Sequence, residues 1–300
     1  MRLRIAAAAA AGVVLIGFWA WSLAAPPEPQ ATVSLAVGQM SAGGVITVGA
    51  LAFFAGLLAY FLAWPYGREI GVLAVPCGLA VWAGRCGSMA ELIQSKAPLL
   101  GQQQTQIAAT VAQRQSLFAS LKWEPLFWLA IVAAGFGGVL LGHKVRSQPQ
   151  PKNARKTAVF KSSGYLNAAI ALVGSGLIAQ FVIRTLAQDV EVGSFVAQPT
   201  TGQIAFAVLV GFGLAAFIVK AFLDASYIWP TIASALTTSV AVATYSRPSI
   251  LEHVAKNLPA PFFSSAVLTI LPIQMVAFGS LGSIAGYWLA VRYTYWRKHE

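Results

Sequence analysis

Two cysteines, three histidines and a run of hydroxyls are the side chains of this sequence best suited to chemistry, and their spacing limits what they can do. Cys77 and Cys86 are nine residues apart. On one helix they would point about 180° apart and lie about 13 Å apart along the axis, so they cannot pair there. With no histidine nearby, small apolar packing is their expected role. His143, His253 and His299 fall at expected helix ends or in loops. None belongs to an HExxH, CxxC or GxSxG pattern, and no Walker-type or GxGxxG loop occurs, which leaves nucleotide, metal and hydrolytic chemistry without sequence support. The expectation is a protein without catalytic residues, metal ligands or cofactor, and not an enzyme.

The hydroxyls concentrate near the carboxy-terminal third. Tyr227, Thr231, Ser234 and Thr238 recur at helical spacing on one face, which should look toward protein or a polar path and not toward lipid. Asn167, Gln180 and Gln274 could join that path from other segments. The competing expectation is that these hydroxyls bond to carbonyls of their own helix.

Such a face needs an apolar frame, and the composition supplies one. Hydrophobic residues make up 57% of the 300 residues, charged ones 10%, and the mean hydropathy is +0.69, whereas soluble chains carry about a quarter charged residues. That excludes a soluble globular enzyme, a disordered chain and a disulfide scaffold. An all-α integral membrane protein is expected. A bilayer core about 30 Å thick takes about 20 apolar residues per helix, which places eight transmembrane spans near 5–25, 43–64, 65–84, 125–143, 164–187, 202–223, 226–246 and 262–291. Residues 1–24 also read as a cleavable signal, with Arg2 and Arg4 before an apolar run and Ser22-Leu23-Ala24 after it; the run is long for a signal, and a retained helix is the expectation.

Of the twenty basic residues, thirteen fall on the same side as the amino terminus in this scheme. The excess predicts both termini in the cytoplasm of a bacterial cell, with the chain in the plasma (inner) membrane. Between Lys144 and Lys161 the chain carries six basic residues and no acid, a composition suited to anionic lipid headgroups and, lacking aromatic or motif support, not to nucleic acid.

Several patterns recur in order, which suggests a parallel 4+4 internal duplication: a first half at 1–143, a linker at 144–163 and a second half at 164–300. Trp64-Pro65 matches Trp229-Pro230, and Arg85 with Glu91 matches Arg247 with Glu252. The latter four are expected as interfacial anchors. Gly135, Gly138 and Gly142 match Gly279, Gly282 and Gly286, a spacing that permits close helix packing, expected between the fourth and eighth spans. Segment 99–122 has no counterpart. Its Ile107, Val111, Phe118 and Leu121 describe an amphipathic helix on the outer surface or against a partner.

Two functions fit this frame. One is permease-like passage of an uncharged or weakly polar solute, not coupled to protons because no acid is expected at mid-membrane depth. The other is an accessory subunit docking membrane protein partners through the glycine faces and 99–122.

Overall fold

The computed structural model describes residues 1–25, 32–34, 40–94, 103–146, 163–193, 195–247, 249–252 and 263–297. Among the described residues the regular structure is helical apart from a two-residue-per-strand hairpin, β1 Glu191–Val192 and β2 Phe195–Val196. In chain order the helices are α1 Arg2–Gly12, α2 Trp21–Ala24, α3 Ala42–Leu62, α4 Gly67–Ile70, α5 Ala74–Arg85, α6 Met89–Gln94, α7 Gln103–Leu121 and α8 Glu124–Arg146. Then follow α9 Ser163–Leu186, α10 Thr201–Leu223, α11 Ile228–Tyr245 and α12 Pro272–Arg297. A π-helical stretch, Val13–Trp19, joins α1 to α2.

Among the described residues six stretches are long and apolar enough to cross a bilayer, not the eight expected: Arg2–Trp19, Ala42–Leu62, Arg114–Arg146, Tyr165–Leu186, Thr201–Leu223 and Pro272–Arg297. The protein is therefore a multi-pass membrane protein, but a scheme of four spans in each half does not describe it. Two segments account for the difference. The expected span 65–84 is broken by a 3₁₀ turn at Gly71–Leu73, so its longest continuous helix, α5, has 12 residues and extends only about 18 Å. The expected span 226–246 is an 18-residue helix diluted by Thr231, Ser234, Thr237, Thr238, Ser239 and Thr244.

Both segments are return legs, and packing explains why neither has to be a long apolar helix. A β-carbon on Gly49 would touch Ile131, one on Gly138 would overlap the carbonyl of Phe53, and Gly142 lies against the ring of Tyr60. Positions on α3 and α8 thus climb together, and the two helices run parallel. The same holds for α10 and α12, where Gly282 meets Leu209 and Gly286 meets Gly213. A parallel pair obliges the chain to come back between its members. On the first return leg Ile70 to Pro76, Leu79, Trp82 and Ala83 are buried by other helices, and irregular backbone within a membrane protein is tolerated where protein covers it.

The last helix also differs from expectation at its start. Residues 262–271 do not belong to it; a 3₁₀ turn, Ala266–Thr269, precedes Pro272. Proline suits the first helical turn, whose amides lack intrahelical acceptors. The Gln274 carboxamide oxygen accepts from the Leu271 amide at 3.1 Å, closing the start. Its residues from Pro272 to Ser280 are all buried, making α12 the central helix. By contrast α9 exposes Leu166, Ile170, Val173, Leu177 and Phe181 at spacings of three and four, an apolar stripe suited to lipid.

Segment 103–121 is helical as expected, and its buried Val111, Phe118 and Leu121 face the protein itself: Phe118 packs edge-on against Tyr245 at 4.8 Å. Most of the basic linker between Lys144 and Lys161, together with 99–102, His253 and His299, lies outside the described residues.

Candidate functional site

The hydroxyl face of α11 is spent on its own helix. Thr231 Oγ1 donates to the Tyr227 carbonyl at 3.0 Å, Ser234 Oγ to Thr231 at 2.7 Å and Thr238 Oγ1 to Ser234 at 3.3 Å. All three side chains are buried. Ser234 sits where a β-carbon on Gly279 would approach it to 2.7 Å, so this face packs on α12. Tyr227 is set apart from them. It lies at the start of α11, edge-on to Phe136 at 5.9 Å and to Tyr287 at 5.4 Å. Burial raises its phenol above the ordinary tyrosine range; nearby Tyr287 adds to the rise, Arg68 opposes it and Glu69 reinforces it.

Those neighbours line a cavity of about 810 Å³ at the end of the bundle that carries Met1. One wall comes from Arg68, Glu69, Ile70 and Val72 with Phe136 and Val139 of α8; the facing wall comes from Tyr227, Ile228 and the Tyr287 to Tyr295 stretch of α12. The rim is charged, with Arg68, Glu69 and Arg292 exposed. Val72 and Val139 of the lining also belong to a buried apolar cluster with Tyr60, Leu73 and Ile284. Beside it, Lys220 forms an ion pair with Asp224 and lies 5.2 Å from the Tyr287 ring centroid.

The far end is built differently. Glu124 is only 3% exposed. Its carboxylate accepts from Ser34 Oγ at 2.6 Å and from the indole Nε1 of Trp128 at 3.1 Å. Trp128 meets Trp82 edge-on at 6.1 Å, and Trp82 meets Trp21 at 6.0 Å. The Trp82 indole donates to the Ile16 carbonyl at 2.7 Å, inside the π-helical stretch. π-Helical turns loosen the regular ladder of carbonyls and often mark sites of function. Cys86, also buried here, has its thiol pushed up to about 12 by burial, a Val33 backbone contact opposing the rise and the Glu124 charge adding to it. Sequence carried one signal for this cluster: Glu124 and Trp128 are four apart and share a helix face.

Of the expected anchors, Arg85 is exposed and lies over the Phe18 and Trp21 rings at 4.7 and 5.6 Å. Glu91 and Ser88 form a capping box for α6: the Ser88 amide donates to Glu91 Oε2 at 2.6 Å, and the Glu91 amide to Ser88 Oγ at 3.2 Å. Arg247 and Glu252 are exposed near the end of α11. The six motif glycines all sit at tight contacts, but the partners of α8 and α12 there are α3, α5, α10 and α11. The fourth and eighth expected spans do not use these glycines to meet each other.

Two glutamines join residues before 147 to residues after 162 at the far end. Gln198 Oε1 accepts from the Ala90 amide at 3.2 Å while its Nε2 donates to the Thr269 carbonyl at 3.1 Å. Gln274 Nε2 donates to the Ala83 carbonyl at 3.3 Å. Comparison of the chain with protein-family models, with curated proteins and with solved structures finds no match in any of the three.

Proposed function

We propose that this multi-pass membrane protein is permease-like, taking a weakly polar, amphipathic solute into the cavity at its Met1 end. The observation that carries the reading is that cavity's position: its facing walls come from opposite halves of the sequence, while the amides of half-buried Gln198 and buried Gln274 tie those halves together at the other end. Sites between helix groups, lined by apolar and aromatic side chains with a few polar groups, are where membrane proteins and soluble proteins alike bind small molecules. Tyr227 is the residue of the hydroxyl face that serves this site; Thr231, Ser234 and Thr238 hold α11 against α12. In the same reading the two halves are repeats of one packing unit, a parallel glycine-contacted helix pair with a return leg between its members, and the membrane is the inner membrane of a bacterium, to whose anionic headgroups the basic stretch between Lys144 and Lys161 holds.

Transport is passive in this reading. The cavity's acid is the exposed Glu69, and the buried Glu124 is at the first turn of α8, remote from the cavity. Proton relays use acidic or histidine groups buried along the path. The test is flux of a weakly polar amphiphile from reconstituted vesicles, with and without a pH gradient. Ile228→Trp, which fills the cavity, should cut flux without lowering expression. Uphill accumulation driven by the gradient would overturn passive transport.

The accessory-subunit reading keeps one observation in its favour: Val72 and Val139 of the cavity lining belong to a buried apolar cluster with Leu73 and Ile284, and all four side chains are aliphatic. Absence of flux for every solute tried would favour it. Its docking surface would then lie elsewhere than the motif glycines, which are occupied within the chain.

A further inference from the structure

We infer that the occupant of the Met1-end cavity is an anionic lipid, entering sideways from the adjoining leaflet. The inference rests on the cavity being a binding site and gives it a second class of ligand, charged at the head, beside the weakly polar solute of the permease reading. About 810 Å³ falls in the range of about 300–1,000 Å³ typical of small-molecule sites. Its lining is graded. Arg68 and Arg292 stand at the rim against the single carboxylate of Glu69, and Ile70, Val72, Phe136 and Val139 lie within. A polar head that is negative and an apolar body that is buried satisfy both ends at once, since guanidinium pairs with phosphate through directed, charge-assisted hydrogen bonds.

The route of entry follows from which lining residues also face outward. Leu140 is 56% exposed, Ile228 45% and Val291 42%, yet all three line the cavity. Leu140 is on α8, Ile228 begins α11 and Val291 is on α12, so the cavity is bordered by apolar side chains that are exposed as well as lining it. In a membrane, the surroundings at a span's end are acyl chain and headgroup. A water-borne anion would gain nothing from that apolar border, whereas a lipid crosses it without exposing its chain.

The experiment uses the full-length purified protein, with native mass spectrometry after exposure to phosphatidylglycerol or phosphatidylcholine. The expected result is one retained phosphatidylglycerol, preferred over phosphatidylcholine by about tenfold or more, since each Arg near a membrane surface adds about 1 kcal/mol toward an anionic head. Arg68→Gln with Arg292→Gln should abolish that preference, and Leu140→Trp should reduce retention of either lipid. Both arginines are exposed, so the double variant should melt where the parent does. Replacing the basic residues of 152–161 by glutamine should leave the retained lipid in place, which separates the cavity from headgroup binding by the linker. Excess inorganic phosphate should not displace it. Equal retention of the two lipids, an unaltered preference in the double arginine variant, or displacement by phosphate would each overturn the inference. Selective lipid retention without flux would leave it standing and refute the permease reading; flux without lipid selectivity would do the reverse.

Discussion

The side-chain amide of Gln274 on α12 reaches the main-chain carbonyl of Ala83 on α5, 191 residues earlier, at 3.3 Å. Its oxygen meanwhile accepts from the amide of Leu271, so one buried side chain satisfies a polar group on each half of the sequence. Gln274→Leu would leave the Ala83 carbonyl and the Leu271 amide without that partner in a dry environment, which costs about 1–3 kcal/mol per group. A clear drop in thermal stability in detergent is expected. A variant that melts with the parent would show that the contact contributes nothing.

Helix packing in this protein depends on the absence of side chains at Gly138 and Gly282. A β-carbon there would run into the backbone of α3 or α10, and backbone cannot rotate aside. Gly138→Leu and Gly282→Leu should each destabilise by about 1–3 kcal/mol or more, read as lower yield of folded protein and earlier unfolding. Gly174, on α9, has open space around it. Gly174→Ala should therefore be neutral or stabilising by up to about 1 kcal/mol. Parity between the two kinds of variant would contradict the packing described.

The contact between Ser34 and Glu124 pins the segment containing Thr32, Val33 and Ser34 onto the far end of the bundle. A double-mutant cycle with Ser34→Ala and Glu124→Gln should return a coupling of about 1.5–3 kcal/mol if the carboxylate is charged, as hydrogen bonds to charged groups do. Additive effects would mean that the pair is not coupled. Trp128→Phe removes a second donor to the carboxylate, and it should cost stability even where Ser34 is intact.

Cys86 provides a pH handle. Its folded thiol ionises near 12 against an ordinary 9.0, so between those values the unfolded chain has released a proton that the folded chain retains. Stability from this group is full below about pH 9.0 and declines as pH rises toward 12. Maleimide modification of Cys86, identified by peptide mapping, should be slow in the folded protein through pH 9 and fast after denaturation. Rapid labelling of the folded protein at neutral pH would refute both the burial and the raised ionisation.

The apolar character of the six spanning stretches, the close-packing glycines and the amphipathic helix at 103–121 were all legible from residue type and spacing. Those patterns report each helix's immediate surroundings, and composition alone suffices for them. The same logic failed at 65–84 and 226–246. A window of hydropathy cannot distinguish a helix bathed in lipid from a return leg enclosed by other helices, and enclosure is what permits the 3₁₀ break at Gly71–Leu73 and the hydroxyls of α11.

Charge placement shows the division most sharply. Arg85 and Glu124 are both ionisable residues at helix ends in the sequence. One remains exposed above aromatic rings, and the other is buried between Ser34 and Trp128. Sequence determined that this protein lives among apolar chains and that its helices approach closely at particular glycines, because those properties belong to single segments. Tertiary structure alone decided which acid is enclosed and where a cavity opens, because each depends on residues brought together from distant parts of the chain, as Arg68 and Arg292 are at one rim.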